Sequence, residues 1–207
     1  MIIKRISTFL VFLSGFVACR PSAEKMSIAY GMDLRITDQE LMSTLTSKRE
    51  EGSLFVKGYD LYTHTEDLGI MPDDKANAYF SGVKWRVSPR EHNDTVIAVV
   101  FVSSELKNYA SAMQFLENRL TDRYHTPVQK DSLHILWQDD ELQITLKKGS
   151  YQNIALEYMD IKRDTERFSK ANSHSLRFNE EGDSWDGAHG DKFRNTPLSR
   201  RLNGAVE

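Results

Sequence analysis

A single cysteine, Cys19, occurs in the 207 residues of this chain, so no disulfide can form within it and the fold must be held by apolar packing alone. That constraint locates the folded part. Apolar residues make up 40% of the sequence and thin out sharply after about Asp160, so the core has to be assembled from the residues before that point. Basic and acidic residues are interspersed, and a net charge of −3 offers no basic stripe of the kind that nucleic-acid binding needs. The length suits one domain of ordinary size.

The opening residues have three parts. Lys4 and Arg5 form a basic start, Ile6 to Ala18 is mainly apolar, and a small residue precedes Cys19. As a helix the apolar part would rise only ~20 Å, whereas a bilayer core asks for roughly 20 apolar residues, which favours a cleaved leader over a permanent span. Phe16-Val17-Ala18-Cys19 resembles the lipobox of bacterial lipoproteins; Ala18 fits that pattern, and Phe16 stands where leucine is usual. The resemblance implies a signal peptide over residues 1–18 and a Cys19 that becomes the amino terminus carrying diacylglycerol and palmitate. Residues 19–26, with Pro21, would be the tether. It also implies an address in the bacterial cell envelope, and Arg20, in place of the aspartate that holds such proteins at the inner membrane, points to the outer membrane. Lipidation gives a use to the one thiol of an exported domain. Loss of Lys4 and Arg5 with the leader takes the net charge from −3 to −5.

Thr37-Asp38-Gln39-Glu40 has the spacing of a capping box, and Leu41, Met42 and Leu45 follow at helical intervals before Gly52. A helix is expected from about Asp38 to Arg49. Strand-like segments follow at Leu54–Tyr62, Ala76–Val87 and Thr95–Val102, with loops at Asp73-Asp74 and from Pro89 to Asp94. The Val, Ile and Phe run of the third reads as a central strand buried on both faces. Ser103-Ser104-Glu105 opens a second helix, whose Leu106, Tyr109, Ala110, Met113, Leu116 and Leu120 line one side. It ends near Tyr124, ahead of Pro127. Leu133, Ile135 and Trp137 alternate with polar residues, as do Leu142, Ile144 and Leu146, and Asp139-Asp140 between them completes a hairpin. Asn153–Met159 supplies one more strand, with Ile154, Leu156 and Tyr158 on one face.

Residues 27–102 and 103–160 thus each read helix, strand, strand, strand. The expected fold is α+β: an antiparallel sheet with two helices on one face, in two tandem helix-plus-three-strand units. The polar tail, residues 161–207, offers a short helix around Glu166, Arg167 and Phe168; beyond it, residues 173–207 bury too little surface to offset their ordering entropy and are expected to be disordered. The layout resembles small bacterial envelope lipoproteins, and the stretch from Leu116 to Tyr158 is similar to a segment recurrent in exported proteins, in which tyrosine, glycine, one residue and proline follow a helix and a strand with tryptophan comes next. Tyr124, Pro127 and Trp137 match it, while His125 stands in the glycine position. No functional residue carries over from this resemblance.

No residue pattern names a reaction. His64, His92, His125, His134, His174 and His189 fall at no spacing that would set two on one element face, and HExxH and paired-cysteine zinc patterns are absent, so no metal is expected. Asp183, Asp186, His189 and Asp191 lack the donor order of a calcium loop and read as an acidic linker. The glycines match neither a serine elbow nor a phosphate or dinucleotide loop, and no cofactor is expected. Asp139, Asp140 and Glu141 read as a solvated turn. His125 is singled out because a residue just past a helix often takes a positive φ, which strains a non-glycine, and such strain can mark function. Tyr59, Tyr62, Tyr79, Phe80, Trp85, Trp137, Tyr151 and Tyr158 either close the core or line an open sheet face that would bind a protein or glycan. The functional expectation is a non-enzymatic binding or assembly module, held to membrane lipid by acylated Cys19 and engaging a protein partner in the envelope. The alternatives are an immunity or inhibitor lipoprotein against a toxin or lysin, and an enzyme with its site near His125.

Overall fold

The computed structural model describes residues 24–69, 78–149, 151–163, 198 and 201–202. The expected leader, Cys19, the loop at Asp73-Asp74, the Glu166 helix and most of the tail lie outside these residues. A small antiparallel pair, β1 (Met26–Ser27) and β2 (Asp33–Leu34), comes first and leads into helix α1 (Asp38–Glu50). Eight strands then build one sheet: β3 (Leu54–Lys57), β4 (Asp60–His64), β5 (Lys84–His92), β6 (Thr95–Ser103), β7 (Gln129–Lys130), β8 (His134–Gln138), β9 (Leu142–Lys148) and β10 (Ile154–Asp160). Helix α2 (Tyr109–Tyr124) links β6 to β7. Every pairing in the sheet is antiparallel, in the order β3-β4-β5-β6-β10-β9-β8-β7. The fold is therefore the expected α+β arrangement, with four strands rather than three following each helix.

Two meanders meet where β6 pairs with β10, Val102 opposite Ala155 and Ala98 opposite Met159. One sheet face carries Leu61, Trp85, Val87, Val99, Phe101, Leu156, Tyr158, Leu146, Ile144, Ile135 and Trp137, all buried in one cluster with Leu41 and Leu45 of α1 and Leu116 and Leu120 of α2. Both helices cover this face because the strands alternate: every second side chain is apolar, and only a helix with an apolar stripe can take them out of water. Thr37 caps α1 as its sequence indicates. Its hydroxyl accepts from the Glu40 amide and the Glu40 carboxylate accepts from the Thr37 amide, while Gly52, at φ 79°, turns the chain out of the helix.

Several boundaries differ from the sequence reading. Leu54–Tyr62 is a hairpin, not one strand, and turns at Gly58 with φ 63°. Residues 78–80 are helical, so β5 starts at Lys84 and continues through Pro89 to His92. Beyond Val87 β5 has no partner in β4, an edge setting in which proline is tolerated. The turn itself is made by Asn93 and Asp94, both at positive φ, as a tight hairpin turn demands. Helix α2 starts at Tyr109 rather than Ser103. The Ser103 hydroxyl accepts from the Ile154 amide, and the Ser104 amide donates to the Lys84 carbonyl, so sheet bonding takes the backbone that a helix would have used. Leu106 is buried all the same.

The segment between the expected tether, residues 19–26, and α1 belongs to the core. Ile28, Tyr30, Met32, Leu34 and Ile36 are each 5% exposed or less. Its backbone joins β6 through Arg35 N–H to Val96 O and Val96 N–H to Ile36 O, both at 2.8 Å. Arg35 adopts φ 66° and sends its guanidinium to the fully buried Asp160 carboxylate at 2.7 and 3.2 Å, and to Glu141 at 2.9 Å. At the other end of the chain Leu202 is buried, Arg201 pairs with Asp38 at 2.5 Å, and Arg49 donates to the Leu202 carbonyl. Leu202 and Arg201 fall within residues 173–207, for which disorder is expected; apart from them and Leu198 that stretch lies outside the described residues.

Removal of the Asp160 carboxylate leaves the Arg35 guanidinium, 9% exposed, without its main counter-charge. Asp160→Ala is expected to lower unfolding stability by about 3–5 kcal/mol in urea titrations, and a loss below ~1 kcal/mol would show the pair to be idle. The Glu40 carboxyl is held down at about 2, first by the Lys25 ammonium and then by the Thr37 amide and hydroxyl. The charged form is the bonded one, so its support is complete above the ordinary value of 4.5 and is lost as pH falls through about 2. The pair is about half exposed and solvent-screened, so the effect is small. An NMR titration of Glu40 should show its midpoint move back toward 4.5 in Lys25→Met.

Candidate functional site

The residues singled out in the sequence do not converge. His125 follows α2 with φ 67° and ψ −159°, a region that essentially only glycine enters freely. The positive φ read from the sequence is therefore present, yet the side chain is exposed and makes no hydrogen bond or ion pair among the described residues. His64 packs on Phe55 with ring centres 5.0 Å apart, His92 meets Asn93, and His134 meets Asp131. Among the described residues no three metal-ligating side chains gather; His174, His189, Asp183, Asp186 and Asp191 lie outside them. Asp139 accepts from the amides of Glu141 and Leu142 and so shapes the β8–β9 turn, while Glu141 bridges Arg35 and Lys162.

Most of the aromatics close the core. Trp85 and Trp137 are 1% exposed or less, and Tyr158, against Phe101, is fully buried, which raises its phenol well above the usual range and keeps it neutral. Phe80 makes tilted ring contacts with Trp85 and Phe115, and Tyr79 makes another with Phe115. Tyr62 alone of the eight stands on the face away from the helices, stacked on Phe55 beside Asp60 and Arg86, and Tyr59 and Tyr151 are exposed on turns. Among the described residues no aromatic platform spans the face away from the helices, whose central residues Ala98, Val100, Ala155 and Glu157 are buried. Its centre is charged: Glu157, 2% exposed, lies between Arg90 at 3.0 Å and Lys147 at 2.8 Å. A buried carboxylate flanked by cations on both sides is ion-paired structure.

What the sequence does not disclose is a groove of about 280 Å³ between α2 and the β7–β8 turn. Tyr109, Met113 and Glu117, spaced four apart on one helix face, form one wall; Lys130 to Ile135 form the other, and Lys148 stands at the rim. Lys130 ties the walls together through Glu117 at 2.5 Å. The turn is rigid: Asp131 accepts from the amides of Leu133 and His134, donates its own amide to the His134 carbonyl, and meets the His134 ring at 3.0 Å. Those amide bonds hold the Asp131 carboxyl below its ordinary range. In consequence Leu133, which alternation places with the core residues Ile135 and Trp137, is presented to solvent at 66% exposure. The Tyr109 hydroxyl is buried without a hydrogen-bond partner, and burial raises its pKa. One signal in the sequence bears on the groove, an apolar residue next to the turn-forming Asp131-Ser132; the apolar Val128 directly after Pro127 precedes the adjoining β7.

Comparison of the chain with protein-family models, with curated proteins and with solved structures finds no match. Function has to be argued from the geometry.

The exposed, unpartnered His125 makes a direct test of strain without function. His125→Gly is expected to raise stability by about 1 kcal/mol, since the strained backbone costs ~1–3 kcal/mol and glycine returns part of that as chain entropy. Thermal and urea melts of the two forms would show it, and an unchanged or lower midpoint would place the strain elsewhere.

Proposed function

We propose that this protein is a lipid-anchored module of the bacterial cell envelope that works by binding and not by catalysis. The observation that carries the reading is the Phe16-Val17-Ala18-Cys19 pattern followed at once by folded chain: β1 begins at Met26. Arg20 to Lys25 can span at most about 20 Å, so an acylated Cys19 would hold the domain close to its membrane. Lys25 pairs with Glu40 at 2.8 Å, which sets the amino-terminal end of α1 nearest the anchor. The groove belongs to α2, β7 and β8, with Lys148 of β9, in the other half of the sheet, at least two strand spacings from β6, or ~10 Å. Anchor and groove therefore do not compete for the same surface.

Acylation is strong enough for the task. Each buried methylene contributes ~0.8 kcal/mol, and the two or more chains of a lipoprotein exceed what stable attachment requires. Arg20 in place of aspartate favours the outer membrane. The groove supplies a place for a partner. Mass spectrometry of the mature protein is expected to find residues 1–18 removed and Cys19 acylated, with the protein in the outer-membrane fraction of a density gradient. Cys19→Ala should leave it unprocessed and unacylated. Native protein recovered in the soluble fraction with its leader intact and the thiol bare would overturn the proposal.

A further inference from the structure

We infer that the β7 edge and the adjoining groove receive an extended, acidic peptide segment of a protein partner, which adds to the sheet as a ninth strand. The inference rests on the reading of this chain as a binding module and assigns that module its site. β7 ends the sheet order, with β8 its one neighbour among the described residues. The Asp131 amide donates inward to the His134 carbonyl, and Gln129, two positions back, is paired with Leu136; in a strand the residue between faces the other way, so the N–H and C=O of Lys130 point off the edge. Such an edge pairs readily with an incoming strand unless it is covered or blunted.

Here it is bordered by apolar groups. Val128 is 61% and Leu133 66% exposed, two of the four large hydrophobic residues that stand out in solvent among the described residues. Leu133 is held outward by the Asp131 turn, so its contact area is offered with little ordering entropy left to lose. Between Leu133 and Met113 the groove has room for one apolar side chain of the added strand.

Charge selects the class of peptide. Glu117 neutralises Lys130, and Asp131 faces His134. Lys148 has no carboxylate partner among the described residues and lies 6.0 Å from the Tyr109 ring centre. Tyr109 is also the first residue of α2, whose Asn108 cap makes no side-chain bond and whose first turn contains no acid. The positive end of the helix and the Lys148 ammonium therefore line the same end of the groove uncompensated, where a carboxylate is favoured. The fitting ligand has an apolar side chain for the groove and an acidic residue beside it, on an extended backbone.

The test uses detergent-solubilised, full-length mature protein as bait for a phage-displayed library of random linear peptides. Enriched peptides are expected to pair an apolar residue with a nearby Asp or Glu, and to lose binding when alternate backbone amides are N-methylated. Leu133→Asp and Lys148→Glu should each weaken the best peptide by roughly tenfold or more. Both side chains are exposed, so the melting temperature should not move. No enrichment, or peptides that bind both variants as tightly as the parent, overturns the inference. Binding of a simple fatty carboxylate with no peptide enriched would assign the groove to a small amphiphile and also overturn strand addition. The state of Cys19 is read separately, so an acylated protein without groove-dependent peptide binding loses this inference alone, whereas a bare thiol removes the anchor and leaves the groove result standing.

Discussion

The pairing of β6 with β10 joins two four-stranded meanders into one sheet, and most of the molecule's other contacts presuppose it. From Val96 to Phe101 every residue of β6 is 1% exposed or less, and β10 is buried along its full length. Phe101 and Val99 lie opposite Leu156 and Tyr158, so the seam runs through the middle of the face that the helices cover. If the seam parted, each half would keep one helix over one small sheet and expose a long apolar edge. With no disulfide available, continuity of this core takes over the work a covalent staple does in many exported domains.

Polar groups are arranged around the seam to fix its register rather than to do chemistry. The segment before α1 hydrogen-bonds to the start of β6 and, through Arg35, grips Asp160 at the end of β10. On the other face Arg90 of β5, Glu157 of β10 and Lys147 of β9 form a chain of charge across three strands on both sides of β6. Buried ion pairs of this kind stabilise little relative to well-packed apolar residues, but a slip of one position would strand a charge in the core. The consequence for function is that the most buried charges are paired with each other, while the groove at the far end of the sheet retains, among the described residues, an ammonium without a carboxylate, an uncapped helix terminus and a tyrosine hydroxyl without a hydrogen bond.

Where local chemistry decides a structure, the sequence is readable. The Thr37 and Glu40 pair announces α1, the alternation through Ile135, Trp137, Ile144 and Leu146 announces the β8–β9 hairpin, and Pro127 closes α2. The positive φ at His125 was legible from its place behind a helix. The Ile28 to Ile36 alternation was equally present within the stretch expected to fold, but strands of two residues offer no pattern long enough to be read as a strand pair. Other boundaries were settled by distant partners: Ser103 bonds to Ile154, and Leu202 packs against a helix that begins at Asp38. Leu133 follows the alternation of its strand until the Asp131 turn overrides it.

The sequence by itself determined the absence of an internal disulfide, the two helices and the longer strands, which side chains alternate toward a core, and the lipobox-like pattern around Cys19, since each depends on residue type and spacing within a few positions. Only the tertiary structure decided that the two meanders join along β6 and β10, that most aromatics are consumed by the core, and that an edge strand, a rigid turn and a helix terminus meet around one groove. Those outcomes depend on contacts between residues far apart in the chain, whose free energies are set by packing and by the desolvation of charge, and neither is written in any local run of residues.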